Sequence, residues 1–115
     1  MSYNIDITNK KEGNKMNVIR INPDNSVKIE NLTYRQMDRT FSSMEVNPLY
    51  NGLYIAEESE YTGSFYNNPM NEAYKKITTV DDEFHSHFFI VRLNDVDEFI
   101  DVDAYDIELI LSLLK

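Results

Sequence analysis

The stretch Leu49-Tyr50-Asn51-Gly52-Leu53-Tyr54-Ile55-Ala56 contains the strongest short-range signal for the fold. Asn51-Gly52 stands between apolar pairs. The dipeptide Asn-Gly favours a type I′ turn because both central residues of that turn need a positive φ. Such a turn joins two antiparallel strands. The stretch therefore predicts a β-hairpin, and the other elements are placed outward from it.

Residues 16–32 predict a second hairpin. The sequence Pro23-Asp24-Asn25-Ser26 has the composition of a turn, and the residues after it alternate between apolar and charged side chains. A central strand is expected over 84–93, because the run Phe88-Phe89-Ile90-Val91 is apolar on both faces. Asn94-Asp95-Val96-Asp97 is expected to form a turn, after which residues 98–102 pair with this strand.

A helix is predicted over 33–44. Thr33 followed by Gln36 fits a capping box, in which each of the two residues satisfies a backbone N–H of the other. The helix should stop before Asn47-Pro48, since proline disfavours helical backbone in the residue before it. A long loop is expected over 57–71 and a short helix over 70–77.

The last predicted element is a helix that begins at about Asp103. Asp103 is a favourable N-cap, and Asp106 and Glu108 lie in the first turns, where the helix dipole favours negative charge. The inward apolar stripe is expected to comprise Ile107, Ile110, Leu111 and Leu114. This apolar face is broad, so part of it could remain exposed and allow self-association through the helix.

Together these elements predict one α+β domain over 16–115, preceded by a flexible polar arm over 1–15. Its sheet, antiparallel or mixed, would be small, built from hairpins and packed against two helices. The 115 residues include no cysteine, which excludes disulfides, thiol catalysis and cysteine-based zinc sites. No membrane-length apolar run and no secretory h-region occur, so a cytoplasmic location is expected.

Charge is concentrated in one segment. The chain has a net charge of −9, and residues 81–108 contain ten acids against one base, Arg92, so the remainder is neutral. Direct binding to nucleic acid or to an anionic membrane is therefore not expected. The segment is either a solvated face or a docking surface for a basic protein. The acids left for a partner are Asp81, Asp82, Glu83, Asp95, Asp97, Glu98 and Asp101.

A second candidate binding region lies in the predicted long loop, where aromatic residues are flanked by acids. Tyrosine offers a large contact area at low entropic cost, which is typical of interfaces. The candidate residues there are Glu57, Glu58, Glu60, Tyr61 and Tyr66.

His85 and His87 are the only histidines. On a strand they would face the same side, so both could ligate one metal ion with a nearby carboxylate. The alternative to a metal site is a pair of hydrogen-bonded or hydrated histidines at a strand edge. No nucleophile elbow or phosphate-binding glycine loop is present, so neither catalysis nor a cofactor is expected.

The opening Met16-Asn17-Val18-Ile19-Arg20-Ile21-Asn22-Pro23, followed by Val27-Lys28-Ile29-Glu30, resembles small uncharacterised accessory proteins carried by phages and plasmids. The resemblance implies no site residue. With the charge pattern, it leads us to expect a non-catalytic acidic protein-binding module, an inhibitor of phage type (anti-defence or nucleic-acid mimic) that docks on a basic groove. The alternatives are a metal- or ligand-binding protein or enzyme that uses His85 and His87, and a component that self-associates as a homodimer through the C-terminal helix.

Overall fold

The computed structural model describes residues 15–58, 67–78 and 83–115. The predicted polar arm lies outside these residues except for Lys15, which begins the first strand. The described elements, in chain order, are β1 (Lys15–Ile21), β2 (Val27–Thr33), α1 (Tyr34–Phe41), β3 (Glu45–Tyr50), β4 (Leu53–Glu57), α2 (Ala73–Thr78), β5 (Phe88–Leu93), β6 (Phe99–Ile100) and α3 (Ala104–Leu113).

The strands form one antiparallel sheet in the order β2-β1-β5-β4-β3, and β6 pairs with the end of β5. The two predicted hairpins, β1–β2 and β3–β4, lie on either side of β5. This confirms the α+β class, with an antiparallel sheet, and the central position of β5. Within the described residues, no helix has the length and apolar character needed to cross a bilayer.

The hairpin turns have the backbone that the sequence predicts. Asn51 and Gly52 both adopt a positive φ, 53° and 82°. A Cβ on Gly52 would lie 2.7 Å from Arg92 Nη1, so a side chain at this position would displace the Arg92 guanidinium. In the first hairpin Asn25 has a φ of 70°, a conformation that asparagine tolerates better than most residues.

The predicted capping box at Thr33 is present, and the predicted N-cap Asp103 also forms one with Asp106. The Thr33 hydroxyl accepts from Gln36 N (3.1 Å), and Thr33 N donates to Gln36 Oε1 (2.8 Å). The predicted end of this helix is wrong, because α1 ends at Phe41 and the chain turns into β3. Pro48, expected to follow a helix, lies in β3, where an edge strand tolerates a residue with no N–H.

The sheet is covered on both faces because alternate residues of β5 point to opposite sides. On one face α1 buries Met37 and Phe41 against Phe89 and Val91. On the other face, residues of α2 and α3 pack against Phe88 and Ile90. That second cluster consists of Ile19, Ile21, Leu53, Ile55, Ala73, Ile77, Phe84, Phe88, Ile90, Val102 and Ile110.

Several predicted boundaries and orientations differ from the structure. The central strand begins at Phe88 instead of residue 84, since Ser86 has a φ of 96° and interrupts the extended backbone. Its partner β6 has two residues instead of five. Leu111, predicted to point inward, is 42% exposed, whereas Leu109, Leu113 and Leu114 pack against the core.

Candidate functional site

The predicted acidic positions lie at the two ends of β5. Glu83 precedes the strand, whereas Asp95, Asp97 and Glu98 follow it. At about 3.3 Å per residue, the six residues of β5 separate the two groups by roughly 20 Å. The described acids therefore do not form one patch. Asp81 and Asp82 lie outside the described residues.

The group after β5 belongs to what we call the acidic turn surface. Its members are all exposed and comprise Asp95, Val96, Asp97, Glu98, Ile100, Asp101, Asp103 and Tyr105. Residues 93–114 include no lysine or arginine, so every charged side chain of this stretch is acidic. The surface joins the turn after β5, strand β6 and the start of α3.

Asn94 holds the turn in one shape. Its Oδ1 accepts from the backbone N–H groups of Val96 (3.0 Å) and Glu98 (2.9 Å). The backbone of Asn94 forms two further hydrogen bonds within the turn. Asn94 N donates to Glu98 O, and Asp97 N donates to Asn94 O. Asp97 takes the positive φ of 61° that the turn requires. The acidic side chains are therefore presented on a fixed backbone.

The rest of the surface is tied to the sheet and to α3. Asp101 Oδ1 accepts from Asn17 N (2.6 Å), which connects the acidic segment to the start of β1. Val102 N donates to Asn17 O, so this connection is a pair of bonds. Asp103 Oδ1 caps α3 by accepting from Asp106 N (2.8 Å). Asp101 and Asp103 thus have structural roles while they remain exposed.

Apolar side chains are exposed among these acids. Tyr105 is 83% exposed, Val96 70% and Ile100 36%. In the described part of the chain, the only other large apolar side chains exposed to a comparable degree are Ile29, Met70 and Leu111. Exposed apolar groups ringed by charges are characteristic of protein-binding surfaces.

One acid of the segment is buried and paired. Asp106 accepts from Arg92 Nε (2.8 Å) and Nη2 (2.6 Å), a bidentate pair that joins α3 to β5. Arg92 Nη1 also donates to Asn51 O, so the same guanidinium holds the β3–β4 turn. The hydrogen bond with Arg92 lowers the pKa of Asp106, and the same bond raises the pKa of Arg92. The charge of Asp106 is thereby paired within the fold.

Sequence reasoning assigned Asp106 to helix capping and missed its pairing with Arg92. The available signal was Arg92 itself, the only base within an apolar central strand. A charged side chain in such a strand needs a buried counter-charge. Which of the neighbouring acids supplies that charge depends on the position of α3 over the sheet.

The two histidines do not lie on a strand, so the prediction that both face one side of β5 is wrong. His85 pairs with Met70 in an isolated bridge, and its Nδ1 donates to Asn68 O (2.9 Å). Its Nε2 lies 3.7 Å from a carboxylate oxygen of Glu83. His85 therefore joins two segments that flank the sheet.

His87 has different neighbours. Its ring packs edge-on against Phe89, with centroids 5.3 Å apart, and its Nδ1 lies 3.4 Å from the Ser86 hydroxyl. Burial, with a smaller contribution from Arg20, lowers the pKa of His87 and favours the neutral ring. Among the described residues, no group of three or more His, Asp or Glu side chains is placed to hold a metal ion.

Of the candidate binding residues in the predicted long loop, two lie within the described residues and three lie outside them. Glu57 ends β4 opposite Phe88, and Glu58 follows it; both are partly buried. They lie at the end of β5 remote from the acidic turn surface. Glu60, Tyr61 and Tyr66 lie outside the described residues.

The chain has no match among known protein families, among curated proteins or among solved structures.

Proposed function

We propose that this chain is a non-catalytic, cytoplasmic protein-binding module whose acidic turn surface docks on a basic surface of a partner protein. The observation that supports this most strongly is the exposure of Val96 and Tyr105 among exposed carboxylates, in a stretch of sequence (93–114) that contains no lysine or arginine. The partner would present lysine or arginine side chains around an apolar contact.

The charge distribution gives this surface a role in the rate of association. Clustered carboxylates attract a basic partner over distances of about a Debye length, which is about 8 Å at physiological ionic strength. The exposed apolar side chains provide the short-range contact that steering alone lacks. Tyr105 would be the aromatic anchor, since tyrosine is enriched among residues that dominate binding energy.

The turn's rigidity supports the same proposal. Asn94 and the capping bonds of Asp103 fix the backbone before any partner arrives. A preorganised surface loses less conformational entropy on binding than a flexible one. The acidic turn surface therefore suits recognition by docking.

The finer proposal is that the chain is an inhibitor of the kind carried by phages. Fixed carboxylates can occupy a groove that normally holds nucleic-acid phosphates, and such a groove would supply the lysines and arginines that the surface lacks. This version predicts that duplex DNA and the chain compete for one site on the partner.

The test compares three baits against a bacterial lysate at low and high salt. Wild type is compared with D95N/D97N/E98Q and with the matched control D38N/E45Q/E72Q, which neutralises three exposed acids elsewhere. We expect a basic protein bound by wild type and by the control, released by salt, and bound roughly tenfold or more weakly by the turn variant in titrations with the purified partner.

Two results would count against the proposal. Equal weakening by both triple variants would show that only net charge matters. Unchanged binding by the turn variant would place the contact elsewhere. Added duplex DNA then separates the two versions: displacement of the partner supports nucleic-acid mimicry, and undisturbed binding leaves only the general docking module.

A further inference from the structure

The two edges of the sheet differ in how they are protected. The outer strand β3 contains Pro48, and its register shifts between Pro48 and Tyr50. Proline and bulges are devices that prevent an edge from pairing with another chain. The opposite outer strand, β2, contains neither; its seven residues keep an unbroken register with β1.

The backbone groups of β2 that point away from β1 can be assigned from its hairpin. Asn22 N donates to Ser26 O, and hydrogen-bonded pairs alternate along an antiparallel ladder. Lys28 and Glu30 therefore bond toward β1, whereas the N–H and C=O groups of the odd-numbered residues 27, 29 and 31 point outward. Thr33 fits this alternation, since its N–H is free to bond the Gln36 side chain. No strand of the described chain pairs with this outer edge.

We propose that the outer edge of β2 pairs with the same strand of a second copy of this chain, antiparallel and centred on Ile29. In this register Ile29 faces Ile29 of the second copy, and Val27 faces Asn31. All three positions have outward backbone groups, so the new ladder is fully hydrogen-bonded. The two sheets become one continuous sheet across the two-fold axis.

Side-chain charges select this register. Centring on Ile29 places Lys28 opposite Glu30 of the second copy, and the symmetry gives this pair twice. Opposite charges directly across two strands stabilise pairing, and like charges oppose it. The next register that satisfies the backbone, centred on Glu30, would place two Glu30 carboxylates against each other.

Burial of Ile29 gives a further reason for the pairing. Ile29 is 39% exposed although it faces Ile19 of β1, a fully buried residue. A second strand would cover the exposed part of this side chain. The proposal concerns a different surface from the acidic turn, so the two can fail independently.

The experiment measures mass by sedimentation equilibrium over a range of concentrations. Wild type should approach twice 13.5 kDa. K28E places acids at both positions 28 and 30, and E30K places bases at both. Each variant alone should dimerise roughly tenfold or more weakly than wild type. Mixed together, they should form a heterodimer, because every facing pair is then of opposite charge.

A monomeric wild type at every concentration would overturn the proposal, and so would a dimer that neither charge change weakens. Circular dichroism verifies that each variant is folded, and the mixture tests pairing even where one variant is less stable. I29P gives a second test, because it removes an outward N–H without loss of a bond to β1. It should abolish the dimer, and I29T, which keeps that N–H, should reduce it less.

Discussion

Asp106 and the acids of the turn after β5 belong to the same acidic segment, yet they differ in burial and in hydrogen bonding. Asp106 is 5% exposed and shares two hydrogen bonds with Arg92. Asp95, Asp97 and Glu98 are exposed on a turn whose shape depends on Asn94. The comparison teaches that Asp106 is buried in an ion pair that joins α3 to β5, whereas the carboxylates of the turn remain on the surface.

The largest change in stability is expected for Asp106→Ala. We expect a loss of about 2–3 kcal/mol of unfolding free energy, because the variant leaves Arg92 without its counter-charge and removes half of a capping box. Urea unfolding measures the change. Glu108→Ala, an exposed acid of the same helix, is the control and should change stability by at most about 0.5 kcal/mol. Equal effects of the two changes would contradict the structural role of Asp106.

Lowering the pH should remove the stabilisation that ionised Asp106 provides. The pKa of Asp106 is lowered below its ordinary value of 3.8 by the hydrogen bond with Arg92. The stabilisation is therefore complete above the ordinary value and is lost as the pH falls through the lower, folded-state pKa. We expect the stability difference between wild type and D106N to shrink as the pH falls below 3.8. Urea unfolding across this range checks it, and a constant difference would be inconsistent with this linkage.

An intermediate effect is expected for Asn94→Ala. The change removes an acceptor for two backbone N–H groups, at a cost of about 1–2 kcal/mol. Asn94→Asp keeps an acceptor oxygen at the same position and should recover most of the loss. If the two variants were equally destabilised in urea unfolding, the turn would not depend on this oxygen.

The smallest effect on stability is expected for D95N/E98Q. Both carboxylates are exposed, so their removal should change the unfolding free energy by no more than about 0.5 kcal/mol. Thermal and urea unfolding measure this. A large loss would show that these acids also stabilise the fold, and the contrast with Asp106 would disappear.

Much of the candidate site could be predicted from the sequence, because its exposed acids are close together along the chain. The prediction that residues 94–97 form a turn is confirmed, and so is Asp103 as a helix cap. The arrangement of His85 and His87 was predicted wrongly, because a positive φ at Ser86 interrupts the extended backbone and β5 begins only after both histidines. One local backbone angle of this kind leaves no periodic signal in the sequence.

The sequence by itself determined the local elements of this protein. A type I′ turn at Asn51-Gly52 and capping boxes at Thr33 and Asp103 each depend on hydrogen bonds and backbone angles of neighbouring residues, which short motifs specify. Only the tertiary structure decided that β5 lies between the hairpins, that Asp106 pairs with Arg92, and that β2 is an outer strand of the described sheet. These features depend on contacts between distant segments, and many chain positions of similar polarity could have met those contacts equally well.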